Sequence, residues 1–340
     1  MANPIGQQLG NYRLMRLLGR GSFAEVYLGE HLYLKSQAAL KVLRTSLEDE
    51  DVTQFLAEGQ TLARLTHPQI VRVHDFAVEH GTPFLVMDYA SRGTLRQRHP
   101  LGTCLPLDTV VAYVRHVAAA LQYAHNRNMI HRDVKPENML LGTQREVLLS
   151  DFGLALFSPS SELLSTQQMA GTVPYMAPEQ LRGKPCFASD QYALGIVVYE
   201  WLCGVRPFEG SYWQLVNQHV SVLPPPLREK DPSLPEAVEH VVLKALAKDP
   251  EQRYVSVHLF AQALERASQV RAGDPRSDLE VTGSLVAFSR VPAVTHKRVF
   301  LSASHADEPF VTRLQADLQK RGIAVCNASI CQPSFALVAK

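Results

Sequence analysis

The run His131-Arg132-Asp133-Val134-Lys135-Pro136-Glu137-Asn138 gathers two carboxylates, a lysine and an amide, and Asp151-Phe152-Gly153 follows with its carboxylate 18 residues after Asp133. Asp133, Glu137, Asn138 and Asp151 offer oxygen donors. Well upstream, Gly19-Arg20-Gly21-Ser22-Phe23-Ala24-Glu25-Val26 is a glycine-rich turn. Backbone N–H groups in such a turn can approach an anion without side chains in the way. Ala39-Leu40-Lys41 then ends a strand-like run on a single cation. Together these give a turn open to an anion, a lone cation and several oxygen donors.

Residues of this kind must be carried on elements that the pattern of apolar positions predicts. Residues 12 to 90 alternate short runs rich in Val, Leu and Tyr with turn residues, with one amphipathic helix at about 51 to 65, which reads as a small, mostly β lobe. From 107 the period becomes 3.6, with Val110, Val114, Val117, Leu121 and Ala124 on one helix face. Asp190 to Leu202 is apolar on every side and predicts a helix buried in the middle of a helical lobe that runs to about Ala267. Residues 268 to 297 read as a linker. Beyond it, RVFLSAS predicts a strand, Glu308 to Arg321 a helix closed by Gly322, and IAVC a second strand.

Composition narrows the class. Of 340 residues, 46% are hydrophobic and 20% charged, which fits a folded globular chain rather than a disordered one. Thirty-four Lys and Arg against 33 Asp and Glu leave a net charge of +1, too small a field to attract nucleic acid. The five cysteines (Cys104, Cys186, Cys203, Cys326, Cys331) are odd in number and form no C-x-x-C pair, against a disulfide framework or zinc ribbon. With no signal-like N-terminus and no run of 18 apolar residues, the expectation is a cytoplasmic chain without a membrane span.

The motifs above, taken with Gly171-Thr172, Ala177-Pro178-Glu179, Ser189-Asp190, and Asp249-Pro250 with Arg253, occur in the order found in the eukaryotic-like (Hanks-type) bacterial serine/threonine protein kinases. The chain resembles that family over residues 12 to 267. The resemblance implies an α+β, two-lobed fold, with an N-lobe over 12–87 and a C-lobe over 91–267. It also implies transfer of the γ-phosphate of ATP to protein Ser or Thr hydroxyls, with magnesium, or manganese in its place. Asp133 would accept or orient the acceptor proton, and Lys135, characteristic of the Ser/Thr class, would meet the γ-phosphate. Asn138 and Asp151 would hold the metal. Lys41 would hold the α and β phosphates, steadied by Glu58, a carboxylate on the apolar stripe of the 51–65 helix that needs a cation if buried.

For the nucleotide, the resemblance assigns Gly19, Arg20, Gly21, Ser22, Phe23, Ala24, Glu25 and Val26 to the phosphate-covering turn, with Ala24 where the family usually has a third glycine. Met87 would be the gatekeeper of a hinge, and the backbones of Asp88 and Ala90 would bond adenine. Leu18, Val26, Ala39 and Leu140 would sandwich its faces; read without the resemblance, these four are ordinary core residues. Glu179 with Arg253, Asp190 and His131 are expected to be structural. Arg132 would receive phosphate on Thr166 or Ser165 of the activation segment, placed there by autophosphorylation, with a homodimer as the vehicle for reaction in trans. Residues 298–340 resemble the first strand, helix and second strand of a TIR domain, up to but not including the region of its catalytic Glu. The competing class is a catalytically silent kinase-fold scaffold; the presence of Lys41, Glu58, Asp133, Asn138 and Asp151 argues against it.

Overall fold

The computed structural model describes residues 4–21, 24–44, 59–79, 81–152 and 173–269, together with the backbone of 298–301 and 324–327. The chain divides into two units, residues 1–274 and 275–340. In the first, β1 (Gln8–Leu9), β2 (Tyr12–Arg20), β3 (Ala24–His31), β4 (Gln37–Leu43), β5 (Val73–Glu79) and β6 (Thr82–Met87) form an antiparallel sheet in the order β1-β2-β3-β4-β6-β5. Pairing thus starts at Gln8, ahead of the first strand-like run at Tyr12.

Successive side chains of a strand point to opposite faces. Ala38 and Leu40, with Phe84 and Val86, build a small outer cluster with Leu14 and Tyr27. Ala39 and Leu43, with Leu85 and Met87, turn inward to join Leu62, Leu65 and the main core. Lys41 lies between Ala39 and Leu43 in that alternation, so the strand aims its cation at the helical half.

There follow α1 (Leu95–Arg98), α2 (Leu107–His125), the hairpin β7 (Met139–Leu141) with β8 (Val147–Leu149), α3 (Pro178–Leu181), α4 (Phe187–Cys203), α5 (Tyr212–Ser221), α6 (Glu236–Ala245) and α7 (Val257–Gln269). Val110, Val114, Val117, Leu121 and Ala124 are all buried, the face predicted for α2. Every residue of α4 from Ser189 to Leu202 is buried, so the helix that is apolar all round is the axis of the lobe. Pro224, Pro225 and Pro226 sit between α5 and the 3-10 turn Leu227–Glu229, whose Leu227 is buried. Among the described residues no helix is long and apolar enough to cross a membrane.

Gly204 ends α4 with φ +72°, and a Cβ there would stand 2.9 Å from Cys104 Sγ and 3.2 Å from the Gly102 carbonyl oxygen. Gly183 has φ +74° but open space around it. Gly183→Ala is therefore expected to cost about 1 kcal/mol, from the backbone alone, and Gly204→Ala about 2–3 kcal/mol, as read by urea unfolding.

In the second unit, β9 (Arg298–Leu301) and β10 (Ala324–Asn327) pair in parallel, from Ala324 opposite Arg298 to Asn327 opposite Leu301. The predicted helix between them lies outside the described residues.

Candidate active site

The loop His131–Lys135 is irregular backbone held by side chains from the helical core. Asp190, 1% exposed in the first turn of α4, accepts the backbone N–H of His131 through Oδ2 (2.8 Å) and that of Arg132 through Oδ1 (2.9 Å), while His125 Nε2 lies 2.7 Å from Oδ2. Arg132 takes φ +68°, a conformation costly for a residue with a side chain, and its carbonyl accepts from Gln180 Nε2 (2.7 Å). Holding the peptide from both sides is what makes that backbone sustainable. His131 is fully buried; its Nδ1 accepts from the Asp133 N–H (3.2 Å) and its Nε2 donates to the Ser150 carbonyl (2.8 Å), and its ring lies 4.5 Å from that of Phe152. It joins the loop to the strand-end that carries Asp151, with both ring nitrogens engaged.

One oxygen of Asp133 is committed. Oδ2 accepts from Lys135 Nζ (2.8 Å) and Asn138 Nδ2 (2.9 Å), and Asn138 Nδ2 also donates to the Asp133 carbonyl (2.8 Å). Oδ1 is buried with no hydrogen-bond partner. Burial pushes the Asp133 carboxyl up, but Lys135, His131 and Asn138 outweigh it and hold it below the ordinary carboxylate range. Asp151, with φ +69°, places Oδ1 2.9 Å from Lys41 Nζ. The carboxylate after β8 and the cation of β4, 110 residues apart in the chain, are thus in contact.

The glycine-rich turn joins β2 to β3 with Gly19 opposite Val26 and Arg20 opposite Glu25, and the Gly21 N–H donates to the Ala24 carbonyl (2.8 Å). Glu25 braces this hairpin from outside, bonded to Arg20 (3.2 Å), Arg44 (3.0 Å) and the Tyr27 hydroxyl. Leu18, Val26, Ala39, Met87 and Leu140 belong to one apolar cluster, with Ala39 directly opposite Met87. The Asp88 N–H is used by the Arg72 carbonyl (3.0 Å) and the Ala90 carbonyl accepts from Gly93 N–H (3.4 Å), so of the expected hinge bonds the Asp88 N–H is already taken within the protein. Ser22, Phe23, Glu58, Ser165 and Thr166 lie outside the described residues. Gln180 and Arg96, which bonds Glu137 and Glu200, were not singled out by motif or spacing.

Below the loop, Arg253 satisfies all five of its N–H donors: Nη1 and Nη2 bond the two oxygens of Glu179 (2.8 and 2.9 Å), and the remainder reach the carbonyls of Ala247, Ala188 and Lys248. Ser189 Oγ also donates to Glu179 (2.6 Å). Burial would raise the Glu179 carboxyl, but Arg253 and Ser189 outweigh it and keep it below its usual value. A depressed folded pKa contributes stability that is complete above the unfolded value and lost as pH falls through the folded one. Unfolding free energy should accordingly fall below about pH 4.3, the unfolded Glu value. It should fall less steeply, by about one proton, in an Arg253→Met, Glu179→Gln protein measured by urea unfolding at stepped pH.

A strand-rich half and a helical half, with Lys41 on Asp151 and with Lys135 and Asn138 on Asp133, make a two-lobed fold, and residues 12–265 match the family model for the protein kinase domain. The chain belongs to the protein kinase family. It is 35% identical over 324 residues to serine/threonine-protein kinase PrkC of Bacillus subtilis, covering 94% of this chain and 50% of the relative. Pkn1 of Myxococcus xanthus is 39% identical, covering 77% of this chain and 39% of its own, and PknF of Mycobacterium tuberculosis is 39% identical, covering 79% and 59%. The chain spans about half the length of the curated relatives it matches.

Proposed function

We propose that the chain is an ATP-dependent serine/threonine protein kinase that uses magnesium, and that Asp133 receives the acceptor hydroxyl. The observation that carries this reading is the Asp133 carboxylate itself, gripped through Oδ2 by Lys135 and Asn138 while buried Oδ1 has no partner. A Ser or Thr O–H donating to Oδ1 would complete its hydrogen bonding. The hydroxyl oxygen then bonds the γ-phosphorus, the bond from that phosphorus to the β–γ bridging oxygen breaks, ADP leaves, and the proton passes to Asp133. A carboxylate held at low pKa is a weak base, so Asp133 orients the hydroxyl and takes its proton late, as a loose phosphoryl-transfer transition state requires.

The donor set fits the metal. Asn138 turns Nδ2 to Asp133 and so presents Oδ1, and Asp151 adds a carboxylate. Two protein oxygens of this kind suit magnesium, which takes one or two of them and completes its shell with phosphate and water. When bound, magnesium neutralises phosphate charge. Lys41, now paired with Asp151, is the cation for the α and β phosphates, and Glu58 its second partner. Gly19 to Val26 cover the phosphates; Leu18, Val26, Ala39, Met87 and Leu140 enclose the base, with Asp88 and Ala90 offering backbone at the hinge.

In this reading the kinase domain covers 12–267, and phosphate on Thr166 or Ser165, added in trans within a homodimer, pairs with Arg132. The parallel pairing of β9 and β10 supports a β-α-β arrangement over 298–340, as at the start of a TIR domain. Mass spectrometry of the protein before and after ATP, with and without magnesium, is the test. Phosphate should appear on Ser or Thr of the chain or of a generic protein substrate only when the metal is present, and its absence from both overturns the reading.

A further inference from the structure

Arg96 of α1 lies in none of the motifs, yet its guanidinium joins four segments. Nε donates to Glu137 (2.8 Å), Nη1 to Glu200 Oε1 (2.6 Å), and Nη2 to Glu200 Oε2 (3.2 Å) and the Tyr175 hydroxyl, which itself donates to Glu200 Oε2 (2.6 Å). The niche is closed at one end and open at the other, since the Glu200 side chain is 3% exposed and that of Glu137 43%. Burial opposes the charge on Arg96, but Glu200, Tyr175 and Glu137 more than restore it, so the guanidinium is firmly cationic.

Two of these residues lie where an acceptor must pass. Glu137 stands four residues after Asp133, a span of at most about 14 Å. Tyr175 is in the stretch leading to Ala177-Pro178-Glu179. An extended peptide advances about 3.3 Å per residue, so with its hydroxyl at Asp133 a residue a few positions away comes level with Glu137. Two carboxylates there would attract a lysine or arginine of the peptide. Arg96 answers their charge from inside the protein. A second cation, Arg206, stands 6.0 Å from the Tyr175 ring centre, and its Nε is buried without a hydrogen-bond partner.

We infer that Arg96 is a built-in occupant of the acidic niche beside the catalytic loop, so that acceptor segments are selected without a basic residue at that place. This rests on the kinase reading above. The test compares acceptor peptides that carry Ala, Arg or Glu at each of the four positions on either side of one Ser. With the full chain, kcat/KM for Arg peptides should stay within about twofold of Ala peptides at every position. In Arg96→Met, one position should come to favour Arg by about tenfold, the worth of a charge-assisted hydrogen bond, and adding Glu200→Gln should cancel most of that gain.

An unchanged Arg-to-Ala ratio in an active Arg96→Met protein overturns the inference. So does a several-fold preference for Arg in the unmodified chain, a result that does not depend on any variant folding. Arg96→Gln, which keeps a hydrogen bond to Glu200, serves as the second variant with the same expected direction. Failure of the unmodified chain to phosphorylate any peptide would instead overturn the kinase reading, and this inference with it.

Discussion

The Asp133→Asn protein should retain nucleotide and lose phosphoryl transfer by about 10³-fold. The amide keeps the size and leaves an oxygen for Lys135 and Asn138, so the loop should stay in place on its Asp190 anchor. What goes is the negative charge, and with it the acceptor of the hydroxyl proton. Because this interaction matters only as the proton is released, the loss should fall on kcat and leave the KM for ATP within about twofold. Single-turnover phosphorylation alongside nucleotide binding by calorimetry separates the two. Undiminished transfer would remove Asp133 from the mechanism.

Arg253→Met is expected to be the most destabilising single change in the helical half, by about 3–5 kcal/mol. The cost is not that of a lost ion pair in water. Glu179 would remain buried as a carboxylate with the Ser189 hydroxyl and the Cys186 thiol as its remaining side-chain donors, and the carbonyls of Ala247, Ala188 and Lys248 would lose a donor each. For a domain of this size that corresponds to a fall in Tm of about 10 °C. Adding Glu179→Gln should recover about half, because the uncompensated charge is gone while the carbonyls stay unserved. A Tm for Arg253→Met within 2 °C of the parent would mean that the site takes up water and that the pair contributes little.

The parts of this architecture that are legible in the sequence are those set by local period or local chemistry. The stripe Val110, Val114, Val117, Leu121, Ala124 fixes the buried face of α2, and the all-apolar run after Asp190 could only be a central helix. The catalytic loop is legible because Asp133, Lys135 and Asn138 act on one another within six residues. What escapes such reading depends on distant pairings. Arg96 meets Glu200 across 104 positions, and a lone arginine in a short helix carries no periodic or spacing signal. The described contact of Lys41 is to Asp151, which only the meeting of β4 with the end of β8 brings within reach; Glu58, the partner the resemblance assigns to it, lies outside the described residues. The two-residue strand Gln8–Leu9 is too short to show alternation at all.

The attachment of the catalytic loop to Asp190 has a consequence for how the domain opens. The N–H groups of His131 and Arg132 end on a carboxylate rooted in the buried run Ser189–Leu202 of α4, and a water molecule can replace that carboxylate only if the helix itself moves away. The loop therefore belongs to the cooperative unit of the core rather than to the fraying surface. Backbone that lacks any regular ladder should open to solvent no more readily than the interior of the helix that holds it, so the His131–Arg132 backbone keeps its shape for as long as the helical half is folded.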